Sequence, residues 1–253
     1  MSDLNLSGKR VVVTGAAGGL GRAFCKSFAA AGGRVLAADI NHAGAVETAE
    51  IISETGGYCR ATSVDVTDAE SCAALAKTAA RELGGLDVLV NNAALYGALN
   101  RNAFENLDGD EWDQVLSVNV KGVWQVTRAL TDLLKAAQGG SIINVASATV
   151  FSGSPQWMHY VASKGAVIAM TRVMARELGS HNVRANVIAP GFTLTEASLD
   201  LIEDAKNYGA AKAALLRNGE VEDICGGVLY LGSDLSKYMT GQTLVIDGGK
   251  QFI

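Results

Sequence analysis

Tyr160 and Lys164 stand four residues apart in HYVASKGA, His159 to Ala166, a stretch otherwise made of small and apolar residues. At helical spacing, positions i and i+4 share one face, so the phenol and the ammonium can point into one cleft. A free phenol has a pKa near ~10 and keeps its proton at neutral pH; lowering it by about three units takes about 4 kcal/mol of preference for the phenolate. One positive charge at roughly 4 Å supplies about that much at an effective dielectric near 20. The pair is thus chemically able to act as a general base near physiological pH. Y-x-x-x-K also arises by chance on exposed helices, so its meaning depends on the residues around it.

A second cluster lies near the start. A β-branched run ends in TGAAGGLGRA, with Gly15, Gly19 and Gly21 at the point where a helical pattern begins and Gly18 giving further room. The order of intervals differs from G-x-G-x-x-G, because the three-residue gap comes first. The physics is the same: glycines let the backbone turn tightly and approach a pyrophosphate that rests on unpaired amides at a helix N-terminus. Asp39 closes the next apolar run, VLAADI, at about the interval where a carboxylate meets an adenosine ribose. It would accept from ribose hydroxyls and repel a 2′-phosphate, and Ala16, Ala17, Ile40 and Asn41 offer no cation, so NAD is expected over NADP. A plain strand-to-helix turn and a surface aspartate are the alternative readings of these residues.

The elements that must position these groups alternate. Arg10–Thr14, Arg34–Ile40, Cys59–Val66, Leu86–Asn91, Ser141–Ala146, Arg184–Ala189 and Leu244–Asp247 read as strands. Gly19–Ala31, Asp68–Leu83, Asp110–Lys135 and Trp157–Leu178 have helical length and periodicity. This rhythm predicts an α/β fold: a doubly wound parallel sheet of about seven strands in three αβα layers. Only two prolines occur and no linker divides the chain, so residues 1–253 are expected to form a single dinucleotide-binding catalytic domain. Two long connections, 95–110 and 192–211, follow strand ends, where ligands of open α/β sheets sit.

TGAAGGLG, NNAA (Asn91–Ala94), Asn119 within SVNVKG, Ser147 thirteen residues before Tyr160, YVASK, PGFTLT (Pro190–Thr195) and GQTLVIDGG together resemble the short-chain dehydrogenase/reductase family, in order and over essentially the whole chain. The resemblance implies a Rossmann-type sheet and a catalytic tetrad of Asn119, Ser147, Tyr160 and Lys164. Ser147 would hold the substrate oxygen, Tyr160 exchange its proton, Lys164 hold the nicotinamide ribose and Asn119 keep a water-linked proton path. Hydride would pass between a substrate carbon and the nicotinamide. The implied cofactor set is Gly15, Gly19, Leu20, Gly21, Asp39, Ile40, Asp65, Val66, Asn92, Tyr160, Lys164, Pro190, Gly191, Thr193 and Thr195. Asp65 and Val66 would face adenine, Asn92 a ribose, and Thr195 the pyrophosphate or carboxamide. Ala94 departs from the family, which commonly has glycine there; a slight backbone shift is the expected consequence.

Substrate choice should come from loops at the sheet edge. Tyr96, Phe151, Trp157 and Phe192, with Ser147 and Tyr160, form an apolar, aromatic set. They point to a small secondary alcohol or ketone, aromatic or cyclic, as substrate of an NAD-dependent alcohol dehydrogenase. Arg101 and Lys206 would reach an anionic group only if the loops fold inward, and His159 is a further neighbour of the tyrosine. A sugar 1-dehydrogenase and a 3-oxoacyl reductase are the alternatives; the latter would favour NADPH, which Asp39 opposes. A cofactor-binding regulator without turnover is a third reading, disfavoured by an intact tetrad.

A net charge of −5 and a pI near 5.3 disfavour nucleic-acid and anionic-membrane partners. Cys25, Cys59, Cys72 and Cys225 are scattered and the three histidines do not join them, so no metal site and no disulfide framework are expected. MSDLNLSGKR lacks the basic-then-apolar pattern of a secretory signal, and the uncharged stretch Gly139–Ser163 carries too many polar residues for a membrane helix. A cytoplasmic location follows as the expectation. The Trp157–Leu178 helix is apolar on several sides, which predicts a subunit contact and a homotetramer, with a dimer as the alternative.

Overall fold

Val11, Val12 and Val13 are all fully buried, yet Val11 and Val13 join one hydrophobic cluster and Val12 joins another. The neighbouring run repeats the division, with Val35 and Ala37 on the first side and Leu36 and Ala38 on the second. A strand whose two faces are both covered has no use for polar alternation, which is why these runs are continuously apolar.

The computed structural model describes residue 4, residues 6–202 and residues 204–253, with the side chain of Lys206 outside that description. In chain order the elements are β1 (Arg10–Thr14), α1 (Gly19–Ala30), β2 (Arg34–Asp39), α2 (His42–Glu54), β3 (Tyr58–Ser63), α3 (Ala69–Leu83), β4 (Val88–Asn91), α4 (Gly109–Leu116), α5 (Val123–Ala136), β5 (Ser141–Val145), α6 (Thr149–Ser152), α7 (Met158–Leu178), β6 (Arg184–Pro190), α8 (Glu196–Leu201), α9 (Ala205–Tyr208), α10 (Val221–Gly232) and β7 (Thr243–Ile246). The seven strands form one parallel sheet in the order β3-β2-β1-β4-β5-β6-β7. Phe24 and Phe28 of α1 and Ile224, Val228 and Leu231 of α10 fill one face. Leu75 and Leu83 of α3 and Val126, Leu130 and Leu134 of α5 fill the other. The result is the expected Rossmann-type three-layer domain. The chain winds outward in both directions from β1 and β4, and the crevice at their C-terminal ends is the place where such sheets bind ligands.

Three departures from the sequence reading have local causes. β3 stops at Ser63 rather than Val66, because the Asp65 carboxylate accepts from the Thr67 amide and hydroxyl at 2.8 and 2.7 Å and turns the chain. The helix read over Asp110–Lys135 is interrupted at Ser117–Gly122 by a turn of wider, i→i+5 winding that contains Asn119. The 192–211 connection carries α8 and α9 instead of running bare.

At the opposite edge of the sheet, Arg10 grips Asp87 with Nε and Nη2, each at 2.8 Å, and its backbone amide donates to the same carboxylate. This fork joins the start of β1 to the residue before β4 and fixes the register of the two strands that define the crevice.

Candidate active site

The glycine turn is packed backbone against backbone. Gly15 sits at φ +67°, and a Cβ there would lie 2.8 Å from the Ala93 Cα; a Cβ on Gly21 would lie 1.9 Å from the Gly15 carbonyl oxygen. Asn92 binds the turn to β4: its side-chain amide donates to the carbonyls of Thr14 and Gly15, both at 3.0 Å. The Thr14 hydroxyl in turn accepts from the Asn92 and Ala93 amides. A close approach of backbone to a pyrophosphate is what such a cradle permits. Asp39 accepts from the Ala17 amide at 2.9 Å and from the Asn41 amide at 2.8 Å. Each oxygen keeps a second lone pair, so the carboxylate both shapes the turn and retains acceptors for ribose hydroxyls. Arg22, which the sequence did not single out, comes to the same turn, donating to the Ala17 carbonyl and the Thr48 hydroxyl and pairing with Glu47. These features fit an adenine dinucleotide.

Ser147, at the end of β5, and Tyr160 and Lys164, on α7, line one cleft of about 360 Å³ together with Gly18, Gly19 and Leu20. Lys164 spans from helix to sheet, its Nζ donating to the Val145 carbonyl at 2.8 Å and lying 5.7 Å from the Tyr160 ring centroid. Burial pushes the Tyr160 phenol well above its usual range, Tyr96 adds to the rise, and a hydrogen bond with Ser147 opposes it. Burial also draws the Lys164 ammonium down to about 8. The expectation that the lysine acidifies the phenol is therefore corrected for this arrangement. Both groups lose solvation in the same dry wall, one ammonium N–H goes to the Val145 carbonyl, and burial outweighs any pull of the lysine on the phenol. At neutral pH the Tyr160 phenol therefore keeps its proton.

Asn119 does not reach the cleft. Its Oδ1 accepts from the Leu95 amide at 2.7 Å, and its Nδ2 donates to the Leu95 carbonyl and to Ser163 Oγ. The fully buried amide clamps the loop after β4 to α7, and the wide turn of its own helix aims it there.

Of the other residues singled out in the sequence, Asn92, Tyr96, Trp157, Pro190, Gly191, Phe192, Thr193 and Thr195 line the cleft. Gly15 and Gly21 build the turn from behind, while Asp39, Ile40, Asp65 and Val66 lie along the β2–β3 edge outside the cavity, Ile40 being 72% exposed. Phe151 is not brought in: it packs with Val150 and Met170 against Val167, Ile168 and Val187, because α6 turns its face onto the core. His159 also faces away, its Nε2 2.8 Å from Glu111 Oε1 and its ring stacked near Trp112.

One wall of the cleft is aromatic. Tyr96, Trp157 and Tyr160 have ring centroids 5.5–5.6 Å apart, and Phe192 meets Tyr208 edge-on at 5.0 Å. The Arg101 guanidinium lies over Trp157, 4.9 Å from its ring centroid. Burial raises the Tyr96 phenol to about 12. Two donors in this wall, Arg101 Nε and Trp157 Nε1, are buried without a partner among the described residues. An unsatisfied buried donor of this kind costs about 1–3 kcal/mol. Thr149, Glu196, Ile202, Tyr208 and Lys250 also line the cleft and carried no sequence signal, since they arrive from separate elements with no shared spacing.

Among the described residues no His, Cys, Asp or Glu group could hold a metal ion, and no helix is long and apolar enough to cross a membrane. A family profile described as "Enoyl-(Acyl carrier protein) reductase" matches residues 15–251. The chain is 36% identical to a 3-oxoacyl-(acyl-carrier-protein) reductase of Thermotoga maritima over 97% of its length and 99% of the relative. It is 33% identical to a 7alpha-hydroxysteroid dehydrogenase of Bacteroides fragilis, over 95% and 93% of the two chains. Among solved structures, a putative short-chain alcohol dehydrogenase from Sinorhizobium meliloti superposes with a TM-score of 0.91 at 37% identity, covering 98% of each chain. A putative gluconate dehydrogenase from Agrobacterium tumefaciens superposes at 0.92 with 27% identity over 100% of both.

Proposed function

The chain belongs to the short-chain dehydrogenase/reductase family of oxidoreductases, and from that premise we propose that it is an NAD-dependent dehydrogenase and ketone reductase acting on a small secondary alcohol, aromatic or cyclic, with Tyr160 as general acid/base. The observation that carries this reading is that Ser147, Tyr160 and Lys164 open onto the same cleft as the glycine turn. Bound nicotinamide supplies the hydride acceptor in oxidation and the donor in reduction. Ser147 holds the substrate oxygen. In reduction Tyr160, protonated in its buried site, gives its proton to that oxygen and is left as the phenolate; oxidation is the reverse and starts from the phenolate, which takes the hydroxyl proton as the carbon gives hydride to the nicotinamide and the C–O bond becomes a carbonyl. Lys164 holds the wall beside it and Asn119 fixes the distance between α7 and the loop after β4.

NAD rather than NADP is favoured by Asp39, whose carboxylate faces the turn with no unpaired cation beside it, Arg22 being matched by Glu47. A 3-oxoacyl reductase is the second reading, favoured by the relatives and opposed by that same carboxylate. We further propose a cytoplasmic homotetramer. The four cysteines are free and buried, and Trp124 of α5 with Met158 and Val173 of α7 leave apolar surface exposed.

Tyr160→Phe tests the assignment. Turnover should fall roughly a hundredfold or more while NADH still binds; near-normal kcat would defeat it.

A further inference from the structure

Arg101 brings a positive charge into the lining of the cleft. The guanidinium lies over Trp157, which clusters with Leu99, Tyr96 and Tyr160. Among the described residues no carboxylate pairs with it and its buried Nε has no acceptor. Trp157 is only 6% exposed, and its indole N–H also lacks an acceptor among the described residues. Both side chains line the cleft that Ser147 and Tyr160 line. A guanidinium whose Nε and an indole whose N–H both lack acceptors among the described residues, set in one largely apolar wall, are complementary to a group that offers two adjacent oxygens and a negative charge. A neutral alcohol would leave the charge unmatched.

We propose that Arg101, supported by Trp157, anchors a carboxylate of the substrate, so that the alcohol oxidised is a hydroxy acid and the ketone reduced an oxo acid. This rests on the oxidoreductase reading above and narrows its substrate class. The carboxylate takes no part in the hydride and proton transfers; it sets which carbon is presented to Ser147 and Tyr160. Glu196 lines the same cleft, which favours a carboxylate monoanion over a phosphate dianion. The rings of Tyr96, Trp157 and Phe192 then accommodate the apolar part of the acid, so the aromatic lining and the cation serve one ligand.

The experiment compares 3-hydroxybutanoate, mandelate and 4-hydroxycyclohexanecarboxylate, each beside its primary amide, as substrates with NAD for the wild-type protein, Arg101→Met and Arg101→Lys. Quenching of tryptophan fluorescence by the same probes in the presence of NADH, and NADH binding alone, are read in parallel. The wild type should favour at least one acid over its amide by about tenfold or more in kcat/KM, mainly through KM, as expected for a charge-assisted bond lost. The acid-to-amide ratio should collapse in Arg101→Met and recover in part in Arg101→Lys. Equal use of acid and amide by the wild type overturns the proposal, as does a ratio unchanged in Arg101→Met or a loss of NADH affinity in that variant, which would place the cation on the cofactor. Stronger competition by inorganic phosphate than by benzoate overturns the carboxylate assignment. If no probe turns over yet the acids quench fluorescence in an Arg101-dependent way, the anion site stands and the oxidoreductase reading of these substrates fails. If neither turnover nor Arg101-dependent binding occurs, the proposal is refuted.

Discussion

Lys164 is moored to Val145: from the middle of α7 its Nζ reaches the last residue of β5 and donates to the carbonyl at 2.8 Å. An ammonium held this way carries a pH signature. Its pKa falls from 10.5 to about 8 on burial, so below about 8 the folded protein bears the full penalty of a buried charge. Between about 8 and 10.5 the unfolded chain binds more protons than the folded one, and stability from this group rises with pH. Lys164→Met should therefore be less destabilising, relative to wild type, at pH 7 than at pH 9.5, with a difference of about 1–3 kcal/mol. Urea unfolding of both proteins at the two pH values measures it; a difference of the opposite sign refutes the burial argument.

Gly21 tolerates no side chain. A methyl group there meets the Gly15 carbonyl at 1.9 Å, and that oxygen is backbone already held by Asn92. Gly21→Ala should lower stability by about 1–3 kcal/mol and weaken NADH binding by about tenfold or more, since the cradle must open to admit it. Thermal melts and coenzyme fluorescence titration check both, and an unchanged melting temperature would show that the turn is looser than its packing.

Asp39 has two duties, holding the Ala17 and Asn41 amides and offering its remaining lone pairs to a ribose. Asp39→Ala should cut kcat/KM for NAD by about tenfold or more, a loss near 1.4 kcal/mol of recognition, and should narrow the gap between NAD and NADP. A wild-type enzyme more efficient with NADP than with NAD would refute the cofactor choice.

Arg10 and Asp87 make an acid-sensitive clamp far from the cleft. Burial alone would raise the Asp87 pKa, but its hydrogen bonds from Arg10 outweigh this and hold it below the usual carboxylate range. A depressed carboxylate contributes stability that is present above its unfolded pKa and lost as pH falls through the folded value. Arg10→Met should cost about 1–3 kcal/mol at pH 7 and less near pH 3, where the unfolded chain takes up the proton that the folded wild type resists and the advantage of the ion pair shrinks. Chemical denaturation at the two pH values tests it, and an equal cost at both would remove the ion pair as the cause.

Much of the frame was legible because its signals are local. β1 was read residue for residue, since a β-branched run ending at glycines leaves little freedom, and α7 differed by a single residue at its start. β3 was read too long because the turn at Asp65 depends on a side chain folding back onto Thr67, an event with no periodicity. The interruption around Asn119 was invisible for a related reason: nothing in SVNVKG announces a wider turn, which is held in place by Leu95 and Ser163.

The sequence by itself determined the alternation of strands and helices, the glycine turn with its following acid, and the one-turn spacing of Tyr160 and Lys164. Those depend on neighbours within a few residues, where backbone geometry is nearly fixed. Only the tertiary structure decided where side chains point and what they meet. It turned Phe151 into the core, sent His159 to Glu111, tied Lys164 to Val145 and laid Arg101 over Trp157. Burial and the supply of hydrogen-bond partners are set by residues distant in the chain, and those two quantities govern which groups keep their protons and which are left to bind a ligand.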